Sequence, residues 1–444
     1  MKKLFGTDGI RGEAGEYPLD TETVTKIGSA VAQVFAERLG RPPKFISGRD
    51  TRESGPSIEA AFHAGAASAE NESAGVITTP GVAFLTRKFG FDAGIVISAS
   101  HNPFHDNGIK IFLPSGQKLD DEAERQIEEI IQNSSADPRR EVILDASRVD
   151  EFKAAYLDHL AGQFGGLDLS RVKIVADCAN GAASGYAAEL FTRFGADVTV
   201  INDKPYGKNI NLDCGSLHLE HLQKAVVERG ADLGVAFDGD ADRSLFVDEK
   251  GKIVDGDATL WILANHLKAQ GKLGSGKVVA TVMSNIGLES ALRREGIDLI
   301  RASVGDKYVL EELLRSGAEI GGEQSGHIIV PQTSLVGDGM MTAMSILSAL
   351  RTSGTTFSGL LNGFVQFPQT LVNVKVKEKR PFDEVAAVAE AARDVETRLG
   401  ADGRLLLRYS GTENLARVMI EGKDQAEIEH LANGLAAVIK QELG

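Results

Sequence analysis

The sequence predicts an α/β fold of three related mixed α/β domains followed by a smaller α+β domain. Two observations lead to this prediction. A chain of 444 residues is too long for one ordinary hydrophobic core. One unit also recurs without close sequence repetition: a helical stretch, a glycine that can stop it, a short apolar strand and a polar, glycine-rich loop.

The recurring unit occurs at three places, in "TRKFGFDAGIVISASHNP", "VVERGADLGVAFDGDADR" and "LLRSGAEIGGEQSGH". Each copy puts polar residues just past the C-terminal end of a strand, where open α/β sheets gather ligands. A further step, "LFTRFGADVTVIN", follows the strand "VKIVAD" and indicates a βαβ unit in the second domain. We therefore predict three α/β domains, residues 1–150, 151–254 and 255–367, that each contribute one loop to a shared cleft.

The C-terminal part, residues 368–444, has a different pattern. "TLVNVKVKEK" alternates as a strand, and "PFDEVAAVAEAARDVETRLG" has helical spacing with a proline near its start and a glycine at its end. "GRLLLRYSGTENLARVMIEG" indicates two strands around a loop, and "DQAEIEHLANGLAAVIKQEL" a closing helix. These elements predict a small α+β domain.

Composition narrows the possible partners. The formal net charge of −15 argues against a nucleic-acid binder, so an anionic substrate needs its own local cluster of Arg and Lys. Cys178 and Cys214 show no metal or redox spacing, and we expect two buried thiols. The N-terminus, "MKKLFGTDGIRG", has no apolar run typical of a signal sequence, and no stretch is suited to span a bilayer. We expect a cytoplasmic protein that binds no membrane.

The first candidate site is "VISASHNP", where Ser100 ends an apolar strand. No G-x-S-x-G motif surrounds this serine, and adjacent side chains of an extended chain point to opposite faces, so a hydrolase pair with His101 is disfavoured. Taken alone, Ser100 is better explained as a strand-end hydrogen bonder or helix cap. The continuation "FHDNGIKIF" adds Lys110, which can face an anion near the same loop.

The second candidate site is "FDGDADRSLFVD". Asp238, Asp240 and Asp242 bring three hard oxygen ligands into one compact loop, as a Mg²⁺ or Ca²⁺ site requires. An EF-hand is the alternative, since Glu249 falls where its bidentate glutamate would lie. Its sixth position holds Arg243 instead of glycine, however, and both flanks are predicted strands. We therefore predict a metal site that is not an EF-hand.

Two further loops carry polar side chains between glycines. In "GGEQSGHIIV", Glu323 and Ser325 suit hydrogen bonds to sugar hydroxyls, while His327 either moves a proton or caps the next strand. In "RYSGTENLAR", glycine and small hydroxyl residues let backbone N–H groups converge on a phosphate, and Arg408 and Arg417 offer planar guanidinium groups. The second loop therefore predicts phosphate binding.

These motifs resemble the α-D-phosphohexomutase family along nearly the whole chain. The resemblance rests on "FGTDGIRG", "SASHNPFHDNGIK", "DGDADR", "GGEQSGH" and "SGTEN", in family order. Within the family, "GKNINLDCGSLHLEHL" and "DCANGAAS" look like the branch of bacterial phosphoglucosamine mutases. The resemblance implies three related α/β domains and a fourth, smaller domain similar in fold to TATA-binding protein modules.

The resemblance also implies a mechanism. Ser100 would carry a phosphoryl group, give it to a hexosamine phosphate to form a bisphosphorylated sugar, and take back the other phosphate. That bisphosphate would serve as primer and intermediate, and Mg²⁺ would be held by Ser100, Asp238, Asp240 and Asp242. The reaction would interconvert glucosamine 6-phosphate and glucosamine 1-phosphate and feed the synthesis of UDP-N-acetylglucosamine and cell-wall precursors.

The family pattern implies substrate-binding roles for a larger set of residues. Glu323 and Ser325 would contact sugar hydroxyls, and the non-reacting phosphate would be bound by Arg408, Ser410, Gly411, Thr412 and Arg417. Further implied site members are Arg11, Arg49, His101, Lys110, Arg243 and His327. The general acid and base stay open among Lys110, His101 and His327.

The chain departs from the family pattern at three positions, and alternatives remain. Tyr409 and Asn414 stand where prolines are usual in the phosphate loop, and Lys307 stands where arginine is more familiar. Gln324 offers a carbonyl oxygen that can accept a hydrogen bond from a 2-ammonium group. A phosphomannomutase or phosphoglucomutase with relaxed choice of sugar is the alternative among enzymes, and a non-catalytic sugar-phosphate sensor that keeps the fold is the alternative from another functional class. A monomer and a homodimer are both compatible with the sequence.

Overall fold

A computed structural model describes residues 4–6, 8–133, 144–400, 403–410 and 413–444. The chain divides into two compact units. The first unit comprises Met1–Met283 and Leu299–Asn362, and the second comprises Ser284–Asp298 and Gly363–Gly444. Each unit is built around its own sheet or sheets.

The first sheet of the first unit has five strands in the order β1-β5-β4-β2-β3. The strands are β1 (Ile10–Glu13), β2 (Lys44–Arg49), β3 (Glu70–Val76), β4 (Ala93–Ile97) and β5 (Asp106–Phe112). Strand β2 pairs in parallel with β3 and with β4. The chain then returns along β4 in the antiparallel strand β5. The loop of residues 98–105 therefore follows the C-terminal end of β4.

The other two sheets of the first unit repeat this plan. Their orders are β10-β9-β8-β6-β7 and β12-β11-β13-β14. The strands are β6 (Lys173–Asp177), β7 (Asp197–Ile201), β8 (Leu233–Phe237), β9 (Ser244–Asp248), β10 (Ile253–Val254), β11 (Lys277–Thr281), β12 (Asp298–Ala302), β13 (Gly321–Gly322) and β14 (Ile328–Ile329). Strand β8 is parallel to β6 and β13 is parallel to β11, and each is followed by an antiparallel strand, β9 or β14. The loops after β4, β8 and β13 are thus topologically equivalent.

The described residues form α-helices in both units, and those at residues 286–294, 386–399 and 425–443 belong to the second unit. They are α1 (Thr21–Leu39), α2 (Gly55–Gly65), α3 (Thr79–Phe89), α4 (Asp121–Asn133), α5 (Val149–Gly162), α6 (Ala187–Thr192), α7 (Glu220–Arg229), α8 (Gly256–Ala269), α9 (Ile286–Arg294), α10 (Asp306–Ser316), α11 (Gly339–Ser353), α12 (Phe357–Leu360), α13 (Ala386–Leu399) and α14 (Gln425–Leu443). Local sequence sets several ends: Asp20 and Thr78 cap the N-termini of α1 and α3, and Gly40 and Gly90 end them with left-handed backbone.

The second unit has one antiparallel sheet, in the order β15-β17-β16. Its strands are β15 (Gln369–Lys375), β16 (Gly403–Tyr409) and β17 (Leu415–Gly422). Helices α13 and α14 pack on this sheet around a buried core that includes Val374, Val388, Val418 and Leu435. Both predicted strands around a loop are present, and the α-helix predicted near Pro381 begins at Ala386.

The predicted fold class is confirmed. Three sheets share one mixed parallel and antiparallel plan, and the C-terminal part is a small antiparallel sheet with helices. The two cysteines are buried and free, as expected. The division at residues 150, 254 and 367 stays a prediction. Among the described residues, none of the helices has both the length and the apolar character needed to cross a bilayer.

Candidate active site

Ser100 lies in the loop after β4, in a backbone conformation that L-residues rarely adopt. Its φ is +54°, in the left-handed region, and its side chain is buried. Such strain costs on the order of 1 to 3 kcal/mol and persists only where the surrounding structure enforces it. The Ser100 Oγ–H donates to Asp238 Oδ2 at 2.5 Å, and the same oxygen lies 3.3 Å from His101 Nδ1. The serine hydroxyl therefore meets the aspartate loop directly.

Two buried side chains hold the backbone of this loop. Arg52 donates to the carbonyl oxygens of Ser100 (3.3 Å) and Asn102 (2.6 Å). Asn211 donates to the same two oxygens, at 2.9 and 3.0 Å. Arg52 is itself paired with the buried carboxylate of Asp50. These contacts stabilise the strained turn at Ser100, because they supply hydrogen-bond donors to the carbonyl groups that the turn buries.

The loop after β8 gathers the three aspartates. Carboxylate oxygens of Asp238, Asp240 and Asp242 all lie within 4.8 Å of one another, and the three residues are buried. Burial and the negative charges of Asp242 and Asp240 raise the pKa of Asp238 well above its ordinary value. Asp240 Oδ1 and Asp242 Oδ1 are buried without a hydrogen-bond partner among the described residues. A divalent cation with oxygen ligands would satisfy these atoms and offset the repulsion, so the residues fit Mg²⁺.

The flanks of this loop agree with the sequence-based rejection of an EF-hand. Strands β8 and β9 enclose it. Glu249, the candidate twelfth ligand of an EF-hand, accepts hydrogen bonds from the backbone N–H of Ser358 (2.9 Å) and from its hydroxyl (2.5 Å). The glutamate therefore contacts α12 and not the aspartate cluster.

Lys110 on β5 lies against the aspartates. Its Nζ donates to Asp240 Oδ2 at 3.0 Å and to Asp242 Oδ2 at 3.4 Å, and forms an ion pair with Asp8 at 3.2 Å. Burial alone would lower the pKa of Lys110, but the three carboxylates outweigh it and raise that pKa well above its ordinary value. Thr79 adds a further hydrogen bond to Asp240 Oδ2, at 2.6 Å.

The two histidines of the site differ in their surroundings. Burial and the positive charges of Arg243 and Arg11 lower the pKa of His101 to about 4. Burial also disfavours the charged form of His327, but the hydrogen bond and charge of Asp242 outweigh it and raise that pKa. The Gly337 N–H donates to His327 Nε2 at 3.1 Å, so the neutral ring carries its proton on Nδ1, which faces Asp242 at 3.7 Å.

The loop after β13 brings sugar-binding candidates to the same region of the first unit. Glu323 Oε1 accepts from the Gly305 N–H at 3.0 Å. Ser325 Oγ is buried and has no hydrogen-bond partner among the described residues. Gln324 instead donates through Nε2 to Asp255 Oδ2 at 3.1 Å. Glu323 and Ser325 thus keep polar atoms for a ligand, whereas the amide of Gln324 is engaged with the residue that caps α8.

One cavity of about 430 Å³ connects these elements within the first unit. The predicted site residues that line it are Arg11, His101, Asp242, Arg243, Glu323 and His327. The Nε atoms of Arg11 and Arg243 are buried without a hydrogen-bond partner among the described residues. Four carboxylates, two arginines and two histidines line this cavity, which suits a ligand that carries both anionic groups and hydroxyls.

Arg49 and Lys307 each contact a carboxylate away from this cavity. Arg49 donates through Nε to the buried Glu59 at 3.2 Å, and Arg52, three residues later, is the arginine that contacts the Ser100 loop. Lys307 donates to Asp121 Oδ1 at 2.5 Å, linking α10 to α4. The binding role of Arg49 stays a prediction.

The second unit contains the candidate phosphate loop. Arg408 and Arg417 are paired directly across β16 and β17, and Arg417 Nε is buried without a hydrogen-bond partner among the described residues. Burial and the charge of Arg417 lower the pKa of Arg408. Ser410 is buried at the end of β16, and its Oγ accepts from the Glu413 N–H at 3.3 Å. Gly411 and Thr412 lie outside the described residues.

A neighbouring segment braces this loop. The ring of Tyr409 stacks on Phe382, with centroids 4.2 Å apart and planes at 16°, and its hydroxyl donates to the Arg380 carbonyl at 2.6 Å. Lys379 donates to the Ser410 carbonyl at 2.7 Å, and the Asn414 carbonyl accepts from the Val376 N–H at 3.0 Å. Side-chain contacts of Tyr409 and a backbone hydrogen bond of Asn414 thus hold the loop where the family pattern has prolines.

Sequence reasoning missed several residues that build the site. They are Asp8, Arg52, Thr79, Lys118, Asn211 and Asp306. A signal existed for three of them, because Asp8 lies in "FGTDGIRG", Arg52 lies near Arg49 in "GRDTRESG" and Asn211 lies in "GKNINLDCGSLHLEHL". The others act through contacts between distant parts of the chain that no local pattern shows.

Comparison with known proteins assigns the family. The chain matches the phosphoglucomutase/phosphomannomutase family over alpha/beta/alpha domain I (residues 2–137), domain II (154–251), domain III (255–367) and the C-terminal domain (371–438). It is 49% identical to a phosphoglucosamine mutase of Solibacter usitatus, covering 100% of this chain and 99% of that protein. It is 48% identical to one of Caldicellulosiruptor bescii, covering 100% of both.

Solved structures share the fold. A phosphoglucomutase/phosphomannomutase family protein from Burkholderia thailandensis matches with a TM-score of 0.81 at 23% identity, covering 100% of this chain and 98% of that one. Aspergillus fumigatus N-acetylphosphoglucosamine mutase, solved with GlcNAc-6P and magnesium, matches with a TM-score of 0.70 at 18% identity, covering 99% and 96%. The resemblance predicted from the motifs is confirmed, as is the prediction of a mutase enzyme: the chain belongs to the phosphoglucomutase/phosphomannomutase family.

Proposed function

We propose that the chain interconverts glucosamine 6-phosphate and glucosamine 1-phosphate through a phosphorylated Ser100 and a bisphosphorylated sugar. The observation that carries the proposal is the contact of Ser100 with Asp238 at 2.5 Å, inside a buried cluster of three carboxylates. A serine that served only as a strand-end hydrogen bonder would need neither the cluster nor the left-handed backbone. The amino sugar is supported by the names of the full-length relatives.

The proposed cycle conserves the phosphates. In the first step the bond from phosphorus to Ser100 Oγ breaks, a bond to the sugar O1 forms, and the O1 proton passes to a base of the enzyme. In the second step the bond from phosphorus to O6 breaks, Ser100 Oγ takes that phosphoryl group, and O6 receives a proton. The acid and base are proposed among Lys110, His101 and His327. The enzyme ends the cycle phosphorylated, and the bisphosphate is the intermediate. The same bisphosphate would serve as primer by giving a phosphoryl group to an unmodified Ser100.

Asp238, Asp240 and Asp242, with an oxygen of Ser100, are the proposed ligands of Mg²⁺. When bound, Mg²⁺ would neutralise negative charge that develops during phosphoryl transfer. The chain's own contribution is to hold the ligands in place. Thr79 and Lys110 both contact Asp240, and Lys110 also contacts Asp242.

The remaining residues are proposed to bind substrate. Glu323 and Ser325 would contact sugar hydroxyls. Arg11, Arg49 and Arg243 would bind phosphate groups of the substrate. The non-reacting phosphate would be bound in the second unit by Arg408, Ser410, Gly411, Thr412 and Arg417. The free polar atoms of Ser325 and Arg417 support these roles, because each lacks a hydrogen-bond partner among the described residues.

Substrate preference tests the proposal. Initial rates of the purified protein would be measured with the 6-phosphates of glucosamine, glucose and mannose, with Mg²⁺ and a sugar 1,6-bisphosphate present. An unpaired buried polar group costs on the order of 1 to 3 kcal/mol, so kcat/KM should favour glucosamine 6-phosphate by roughly tenfold or more. Equal values for glucose or mannose would replace the amino-sugar assignment with a phosphoglucomutase or phosphomannomutase. No turnover of any sugar would favour a non-catalytic sensor.

The preference does not depend on Gln324 alone. Its Nε2 is bound to Asp255, which leaves Oε1 as its acceptor. Glu323 lines the cavity, and its carboxylate is a second acceptor for a 2-ammonium group. Flow of the product into UDP-N-acetylglucosamine and cell-wall precursors is part of the proposal, and the cytoplasmic location and the oligomeric state stay predictions.

A further inference from the structure

Lys118 is a largely buried lysine behind the candidate active site. It follows β5 in a returning segment, where the Leu119 N–H donates to the Ile111 carbonyl at 2.9 Å. Its side chain is 20% exposed, and its Nζ contacts Asp8 Oδ1 and Asp306 Oδ2, the latter at 2.5 Å. One ammonium group thus bridges two carboxylates that are far apart in the sequence.

Both carboxylates contact predicted site residues. Asp8 forms an ion pair with Arg11 and a second one with Lys110, at 3.2 Å. Asp306, the first residue of α10, lies 3.7 Å from His327 Nε2. Lys118 is therefore linked through Asp8 to Arg11 on β1 and to Lys110 on β5. Through Asp306 it is linked to His327 in the loop after β13.

Lys118 itself stands outside the cavity. Asp8 and Asp306 line the cavity that Arg11 and His327 share, and Lys118 is not among its described lining residues. Lys118 instead lines a neighbouring cavity together with Lys110 and Lys307, so it lies beside the cavity of Arg11 and His327. The lysine lies where it can fix the two carboxylates that face the ligand.

We propose that Lys118 is a positioning residue of the mutase reaction, which orients Arg11 and Lys110 through Asp8, and His327 through Asp306. The inference rests on the proposed function. Without the ammonium group, two carboxylates that now share one cation would face each other in a poorly hydrated site, where like charges repel strongly. Either carboxylate would then move, and its partner in the site would move with it.

The test compares Lys118→Met, Lys118→Arg and Asp306→Asn, singly and combined, with a matched control. Misplacement of reacting groups by about 1 Å can cost on the order of 10²-fold in rate, so Lys118→Met should lower kcat by about that factor. Lys118→Arg keeps the charge and should recover a substantial part. The control is Lys44→Met, which removes an ion pair of a half-exposed lysine with Glu70 and should leave kcat unchanged.

The readout must separate positioning from stability. Rates are normalised to the folded fraction measured by unfolding, because a merely structural lysine would change that fraction and leave kcat and KM of the folded enzyme alone. If Lys118 acts through Asp306, Asp306→Asn should lower kcat by a smaller factor in the Lys118→Met variant than in the wild type. The reason is that the Asp306 carboxylate is already misplaced when Lys118 is absent. Additive losses would overturn the inference.

Each outcome decides something. Wild-type kcat in folded Lys118→Met overturns the inference while the mutase assignment stands. Absence of turnover in the wild-type protein overturns both. If Lys118→Met does not fold, Lys118→Arg and Asp306→Asn decide: non-additive losses support positioning, and additive losses overturn it.

Discussion

Arg408 on β16 and Arg417 on β17 are direct cross-strand neighbours in the second unit. Like charges directly opposite each other destabilise a sheet, and a phosphate that accepts hydrogen bonds from both guanidinium groups removes the repulsion. We predict that Arg417→Ala stays folded, with a Tm in phosphate-free buffer no lower than that of the wild type. Mutase turnover should fall by about 10²-fold, because the intermediate loses its alignment. Thermal unfolding and product formation measure the two effects.

Release of the bisphosphorylated sugar provides the control for this variant. Arg417→Ala should release more of it to solvent, and Arg417→Lys should recover only part of the turnover, because a point charge lacks the planar two-pronged contact of arginine. If Arg417→Ala turns over at the wild-type rate and releases no additional bisphosphate, the loop is a structural turn.

Tyr409 offers a test of loop rigidity. Its hydroxyl bonds the Arg380 carbonyl, and its ring stacks on Phe382. Tyr409→Phe loses one hydrogen bond, worth about 1 kcal/mol, and should lower kcat/KM by roughly fivefold. Tyr409→Ala also loses the stacking and should lower it further. Tyr206→Phe, at a residue that is 68% exposed, is the matched control. Wild-type kinetics in Tyr409→Ala would show that the Tyr409 side chain has no role in turnover.

Arg52 combines a structural and a positioning role that can be separated. Arg52→Met leaves the carboxylate of Asp50 buried and unpaired, which should lower the free energy of unfolding by about 3 to 5 kcal/mol. Adding Asp50→Asn removes the unpaired charge and should restore much of that stability. Turnover should stay low in the double variant, because the carbonyls of Ser100 and Asn102 have still lost one of their two donors and keep only Asn211. Denaturant unfolding and initial rates distinguish the two, and full turnover in the double variant would contradict the positioning role.

The aspartate cluster predicts opposite effects on stability and activity. Burial and the negative charges of Asp242 and Asp240 raise the pKa of Asp238 in the metal-free protein, which disfavours its charged form. Asp238→Asn should therefore be at least as stable as the wild type without metal, yet it should lose turnover and the increase in Tm that Mg²⁺ gives the wild type. Asp213→Asn, which changes an exposed carboxylate, should keep both.

Metal exchange tests the same site without mutation. Mg²⁺ demands tight octahedral geometry, whereas Ca²⁺ accepts longer bonds and more ligands. Ca²⁺ should therefore bind and raise Tm while supporting much slower turnover. Undiminished activity in excess chelator would exclude a catalytic metal.

The sequence predicts the fold and the chemistry-bearing loops because both leave local signals. Apolar runs become β4 and β8, whereas β13 consists of the two glycines Gly321 and Gly322, and each strand is followed by the polar loop that the pattern placed there. Ser100 and Asp238 come from equivalent loops of two sheets, which explains how residues 138 positions apart meet. Repetition of one unit in the sequence is thus enough to predict where ligands gather.

The long-range contacts that hold these loops leave no such signal. Lys118 meets Asp306 across 188 positions, and Asn211 reaches the Ser100 carbonyl across 111. Such contacts depend on how whole domains pack, which neither periodicity nor turn chemistry encodes. The sequence also predicts a helix beginning near Pro381, but the segment up to Phe382 instead contacts Tyr409, and the α-helix begins at Ala386.

Transfer of a labelled phosphate through Ser100 tests the central claim most directly. The purified enzyme would be loaded from a sugar bisphosphate carrying radioactive phosphate, and unlabelled glucosamine 6-phosphate would then be added for a single turnover. The account predicts one label per active site on the peptide that contains Ser100. That label should pass to the sugar as fast as product forms, and Ser100→Ala should take up no label and lose turnover. Full turnover in Ser100→Ala, or a label that stays on the protein while product forms, would contradict it.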